Sequence, residues 1–219
     1  MLLTSKKVGG MIRASRRKEA LVPCHFFYKP VMNIKKYINQ RKDNIMKNQI
    51  KLGDVKGLAF IGGQITSRIE ANEKKNEIAV GKVQVIPPKA IKAGKILQDE
   101  LYELEYKSDF DDKKLTKAGD IVVKLSSPYD AAYITEEDEG LLITSFCIII
   151  RNTSKTLMSE YLAAFFNSEV YLKQVMDMVS GAAVPMLTMG KIKDVMVREM
   201  GLEEQKQVAE YFQNISLKE

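Results

Sequence analysis

Tryptophan is absent from this chain of 219 residues, and histidine occurs once, at His25. With no second histidine, and no cysteine or carboxylate at ligand spacing, His25 is not expected to hold a metal. Cysteine occurs only at Cys24 and Cys147, too far apart for a CxxC ligand or redox pair. Cys147 lies inside the apolar run Phe146-Cys147-Ile148-Ile149-Ile150, where a thiol behaves as a small hydrophobe. It reads as a buried free thiol in a reducing compartment. No apolar run approaches the ~18 residues needed to span a membrane. The N-terminus has no h-region of a secretory signal, so the expected location is the cytoplasm, with no membrane partner.

The chemistry that other folds announce in sequence is also missing. There is no G-x-x-x-x-G-K-[ST] phosphate loop. Gly62-Gly63 alone reads as an ordinary turn, at which glycine permits positive φ. Asp109-Phe110-Asp111-Asp112 lacks the spaced ligands and glycine of a calcium loop, so it reads as a solvated turn. No nucleophile–base pair is visible. The expectation is a protein with no catalytic residues, no metal and no cofactor in this chain.

What is present suits one domain with a sizeable core, since 45% of residues are apolar. The net charge of +6 is unevenly placed. Residues 1–50 hold 12 Lys/Arg and 2 Asp/Glu, a net of +10, which leaves −4 for the remainder. A basic isoelectric point is a usual mark of nucleic-acid binding, but here it belongs to the first residues and not to the body. DNA contact by the body would have to come from a local basic face.

Residues 1–45 form a basic N-terminal extension with weak periodicity. Three readings compete for it: a phosphate-binding arm, the remnant of an upstream helix running from Ile34 to Ile50, or a misplaced start. The third is preferred, because Met46 opens MKNQIKLGD and runs directly into the first element of the body. From there Ile50 to Val55 reads as a turn leading into a strand, and Gly57 to Gly63 is apolar with glycine at its margins. Gln64-Ile65-Thr66-Ser67-Arg68 offers polar side chains at loop positions. After the charged link EANEKKNE, Ile78 to Ile86 reads as a strand that Pro87-Pro88 ends. A basic run (Lys89, Lys92, Lys95) follows. Leu97 to Tyr106 fits strand or helix, and its tyrosines favour strand.

Lys117-Ala118-Gly119-Asp120 turns into the strand Ile121 to Leu125, followed by the polar loop Ser126-Ser127-Pro128-Tyr129-Asp130. An acidic tip, Glu136 to Gly140, precedes a long apolar strand, Leu141 to Ile150. Strand-turn-strand with this β-branched content predicts an antiparallel, buried sheet centre. Ser159 is the expected N-cap of a helix with Glu160 in its first turn. Tyr161, Leu162, Phe165 and Phe166 form its apolar stripe. Asn167-Ser168 interrupts it, and Ser168 caps a second helix carrying Leu172, Val175, Met176 and Val179. The last segment, Ser180 to Gln207, reads as a Gly-small-small-Val-Pro reversal, a helical turn through Ile192, a brief strand at Val195 to Val197 and a capped helix from Leu202. Val208, Phe212 and Ile215 have the spacing of a coiled-coil seam.

This order of motifs resembles the target recognition domain of type I restriction–modification specificity subunits. The carriers are the L-G-D opening at Leu52 to Asp54, the K-x-G-D strand lead at Lys117 to Asp120, and the helix pair around YLAAFFNS. They continue with the G-x-x-x-P-x-L turn from Gly181 to Leu187 and the E-Q helix at Glu204-Gln205. The resemblance covers about Ile50 to Phe212. It implies an α/β (mixed α+β) fold with a mixed, largely antiparallel sheet, a helix pair and a C-terminal helix that starts a coiled coil. The implied division is an extension at 1–45, a recognition domain at 46–200, and the start of a truncated coiled-coil helix at 201–219.

The resemblance also implies non-catalytic recognition of double-stranded DNA, with chemistry left to separate modification (methyltransferase) and restriction subunits. A single recognition domain would be a half-subunit, able to pair with itself or with another half. The candidate base readers are Gln64, Thr66, Ser67 and Arg68 on one loop and Ser126, Ser127 and Tyr129 on the other; Lys89, Lys92 and Lys124 are candidate phosphate contacts. The alternative is an interaction remnant that binds modification or specificity subunits without reading DNA.

Overall fold

The computed structural model describes residues 48–181, 183 and 185–216. The readings of the extension at 1–45, including Cys24 and His25, lie outside the described residues. The proposed helix through Ile50 does not reach its end, since Gln49–Lys51 is strand β1. The fold is mixed α+β.

The centre is a four-stranded antiparallel sheet in the order β2-β10-β7-β8, formed by Leu58–Gly62, Cys147–Asn152, Ile121–Lys124 and Ala131–Tyr133. Strand side chains alternate between faces, and here both faces are covered. Ile121, Val123, Ala131, Ile148 and Ile150 face one apolar layer. Val122, Ala132, Cys147 and Ile149 face another. Two-sided burial explains why β7 and β10 read as continuous apolar runs instead of an alternating pattern. Each of these isoleucines contributes roughly 1.5–3 kcal/mol on burial.

The first layer is helical. Helices α2 (Ser159–Phe166) and α3 (Glu169–Val179) bury Tyr161, Leu162, Phe165, Phe166, Tyr171, Val175 and Val179. The predicted stripe of α2 and the Ser168 cap are both present, the latter accepting from Tyr171 N at 3.3 Å. Two expectations are corrected. Ser159 is the first helical residue and not the cap, because its hydroxyl accepts from Asn152 Nδ2 instead. Leu172 and Met176 are 39% and 46% exposed, since α3 rests on the core by only one side.

The second layer is built from the two-residue strands β4 (Ile91–Lys92) and β5 (Lys95–Ile96) and from a three-stranded sheet, β6-β3-β9. Strand β3 spans Gly81–Ile86 and β6 spans Tyr102–Tyr106, so the expected strand from Leu97 to Tyr106 holds only in its second half, while Gln98–Glu100 forms a single 3-10 turn. The expected start of β3 at Ile78 is too early. Ile78 and Val80 lie outside it and are exposed. Strand β9 is Leu142–Ile143, parallel to β3. The single strand expected from Leu141 to Ile150 is therefore two strands in different sheets, broken by a turn closed by Cys147 N donating to Thr144 O at 2.9 Å.

The C-terminal segment closes the domain. Helix α4 (Met189–Lys193) is capped by Thr188, and strand β11 (Met196–Arg198) pairs antiparallel with β1. Helix α5 (Leu202–Ser216) lies on α2. Its first turn carries a fully buried glutamine, Gln205. The side-chain oxygen accepts from Met158 N at 2.8 Å, and the amide donates to Thr156 O at 2.7 Å and Met200 O at 2.9 Å. One side chain thus satisfies the start of α2 and the lead-in to α5. Part of the proposed seam turns inward, with Val208 packed against the core next to buried Ala209. Loss of the Gln205 amide removes three hydrogen bonds to part-buried backbone groups, each worth about 1 kcal/mol. Gln205→Ala is expected to lower unfolding free energy by about 3 kcal/mol, read from the urea midpoint.

Candidate nucleic-acid interface

Antiparallel pairing brings the ends of β2 and β7 to the start of β10, with Gly62 opposite Ile148 and Lys124 opposite Cys147. Four loops therefore meet at one end of the sheet. Backbone hydrogen bonds tie them in series. Ser145 N donates to Gln64 O at 2.8 Å, Leu125 N to Phe146 O at 2.9 Å, and Leu187 N to Leu125 O at 2.8 Å. Gly63 makes the close approach possible, because a Cβ there would collide with the Thr144 carbonyl. Neither Gly62 nor Gly63 uses the positive φ that glycine permits; Gly63 is needed for space.

The first polar loop is shorter than its sequence implies. Thr66–Ile69 forms a single helical turn, α1. Ser67 and Arg68 are exposed and Thr66 is half-buried. Gln64 is buried, accepting from Lys114 Nζ at 2.7 Å and donating to Ile65 O at 3.3 Å. It holds the loop and does not face solvent as a reader would.

In the second loop Ser127 is exposed and Ser126 is half-buried beside Met186. The Ser127–Pro128 peptide is cis. Tyr129 takes φ of 65°, a region that costs a non-glycine residue roughly 1 kcal/mol or more. Its ring is 2% exposed and its hydroxyl donates to Pro185 O at 2.6 Å. Tyr129 is therefore a core residue that clamps the serine loop to the Gly-Pro reversal. The expected reading role does not fit this placement.

The three candidate lysines have different surroundings. Lys124 is buried and pairs with Asp130 at 3.2 Å. Lys89 is exposed but pairs with Glu100. Lys92 is exposed on β4, at a two-residue turn formed by Ala93 and Gly94 with φ of 42° and 93°. That hairpin is fixed to β8 by Gly94 N donating to Ala131 O at 2.9 Å. The charge expected to be free is thus largely neutralised locally. Lys51, Lys82 and Lys107 also pair with carboxylates. The acidic tip is partly structural as well: Asp138 is buried, closes a capping box with Thr135 and accepts from Gln98 at 2.6 Å.

Behind the rim, Cys147 is buried and free as expected. Burial pushes its thiol up to about 12, opposed weakly by Thr144 and Lys124. Sequence reasoning missed two features at the two ends of β10. Asp120, 2% exposed, is paired with Arg151 at 2.7 Å, which also donates to Leu115 O. Phe146 reads as part of an apolar run, yet it is 50% exposed at the turn between the sheets. The break after Ile143 has no glycine or proline, so no local signal marked it. Among the described residues no group of acids, cysteines and histidines could hold a metal, and no helix is long and apolar enough to cross a membrane. A cleft of about 460 Å³ lined by Gly94, Tyr133, Glu137, Glu160 and Phe212 borders the β4–β5 hairpin and shares no residue with the four loops at the sheet end.

A mixed α+β domain with a rigid sheet and convergent polar loops is the class that this geometry defines. The fold is shared with solved specificity subunits. The HsdS subunit from Thermoanaerobacter tengcongensis matches with a TM-score of 0.57 and 18% identity, over 76% of this chain and 41% of that one. A chain from a structure describing complex assembly and conformational transition of the type I R-M system matches at 0.53 and 17%, over 74% and 43%. The chain thus spans about two-fifths of the length of each. No protein-family model matches the sequence, and no curated protein matches it.

Two outcomes follow from the rim. In a Cys24→Ser background, Cys147 is expected to resist thiol reagents at pH 8 until the chain unfolds. An unfolded thiol titrates near 8.5, below the folded value of about 12. The unfolded state releases its proton first, so stability falls as pH rises through that window. Tyr129→Phe, which leaves the Pro185 carbonyl without its donor, is expected to cost about 1 kcal/mol in thermal unfolding.

Proposed function

We propose that this chain is a DNA target recognition domain of the type I restriction–modification specificity kind. It binds double-stranded DNA by sequence and directs a modification and restriction complex to that site. The observation that carries the reading is the convergence of four hydrogen-bonded loops at one sheet end, on a fold shared with an HsdS subunit. A pre-formed polar rim suits base-edge readout, in which hydroxyl and guanidinium groups face the major groove. Thr66, Ser67, Arg68, Ser126 and Ser127 are the readers, and Lys92 with Arg68 supplies phosphate contacts. Recognition is the role of this chain, and methyl transfer and cleavage are the work of partner subunits. Pairing with itself or with another half-subunit would give a two-part target.

A second reading has its own support, namely the number of exposed lysines already committed to carboxylates. In it the domain binds modification or specificity subunits and leaves DNA unread.

Co-expression of the full chain with the modification subunit of the same genome, followed by mapping of methylated adenines, separates the two. A recurring motif that disappears without the chain supports recognition. A stable complex with no motif supports the interaction reading. With only about two phosphate contacts, log K against log salt should have a slope near −2. Arg68→Ala with Lys92→Ala should flatten it, and an unchanged slope would remove both residues from the interface.

A further inference from the structure

Phe146 is the one exposed phenylalanine among the described residues. It stands at the tip of the tight turn that joins β9 to β10, where the chain passes from one sheet to another. The backbone of this turn is held at several points. Ser145 N is held by Gln64 O, Cys147 N by Thr144 O, Gly63 N donates to Cys147 O at 3.1 Å, and the Phe146 carbonyl accepts from Leu125 N. The same bonds join this turn to both candidate reading loops. An apolar ring is thus placed between the Thr66–Arg68 turn and the Ser126–Ser127 loop. Ile65, 39% exposed, lies one residue beyond the Gln64 carbonyl that holds the turn.

A ring needed for packing would be drawn inward, as Phe165 and Phe166 are. Phe146 precedes the first residue of β10, so it stands beyond the end of the sheet, where neither apolar layer includes it and the ring is left exposed. The turn has little freedom left to lose on binding, which lowers the entropic cost of a contact made there.

Polar groups on both sides can address base-edge donors and acceptors. The ring cannot, but one major-groove group is apolar, the 5-methyl of thymine, for which phenylalanine is a suitable partner. We propose that Phe146 is a specificity-determining residue that reads a thymine methyl group in the target half-site. This inference rests on the recognition reading above.

The test uses the full chain in complex with its modification subunit, and two random 20-base-pair duplex libraries, one with thymidine and one with deoxyuridine in its place. Wild type should select a motif from the first library. Replacing thymidine by deoxyuridine at one position of that motif should weaken binding about four-fold, the effect of one buried methyl. Phe146→Ala should bind the thymidine motif about four-fold more weakly and show no further loss with deoxyuridine, while Phe146→Leu keeps a partial response. Because the ring is half exposed, an unchanged unfolding midpoint is expected for both variants. Indifference of the wild type to deoxyuridine at every position, or an unchanged motif and affinity for Phe146→Ala, overturns the assignment alone. Failure of the wild type to select any motif overturns the recognition reading and this inference together.

Discussion

Burial of β10 on both faces is the constraint that the rest of the domain depends on. Ile148 and Ile150 face the helical layer while Cys147 and Ile149 face the β4–β5 hairpin and β9. A strand covered on both sides cannot slip by one residue without moving its side chains between two differently shaped layers. The register of β2 and β7 against it is thereby fixed, and with it the positions of the loops at either end. The Arg151–Asp120 pair, near the other end of the same strand, anchors β10 against the start of β7.

Rigidity at the rim follows from that register. The four loops meet because the strands that carry them are held in line, and the backbone bonds among Gln64, Ser145, Phe146, Leu125 and Leu187 complete the arrangement. Side chains that read as free in the sequence serve this task. Gln64, Lys124 and Tyr129 hold the loops in place, which leaves the smaller hydroxyls, Arg68 and the Phe146 ring at the surface. Tyr129 shows the balance well: an unfavourable backbone conformation is offset by burial of the ring and a short bond to Pro185.

The closure of the chain has the same economy. Strand β11 returns to pair with β1, so the first and last parts of the described domain share one small sheet. Gln205 then links α5 to the start of α2. A glutamine at this point of a helix reads as an ordinary exposed polar residue. Only the approach of the Thr156–Met158 segment, 47 residues away for Met158, makes it a structural hub.

Much of the architecture was legible from local patterns. The helix stripe at Tyr161 to Phe166, the Ser168 cap, the turn at Gly119, the strand at Ile121 and the buried thiol at Cys147 all depend on near neighbours in the chain, and all are present. The sequence by itself determined the mixed α+β class, the order of most elements and the absence of any long apolar helix among the described residues. Periodicity and capping reflect interactions within a few residues, so they survive in one dimension. The tertiary structure alone decided which polar residues face solvent, where the run from Leu141 to Ile150 breaks between sheets, and which lysines are neutralised. Those outcomes turn on partners far apart in the chain, such as Lys114 for Gln64 and Pro185 for Tyr129, and no spacing rule connects them.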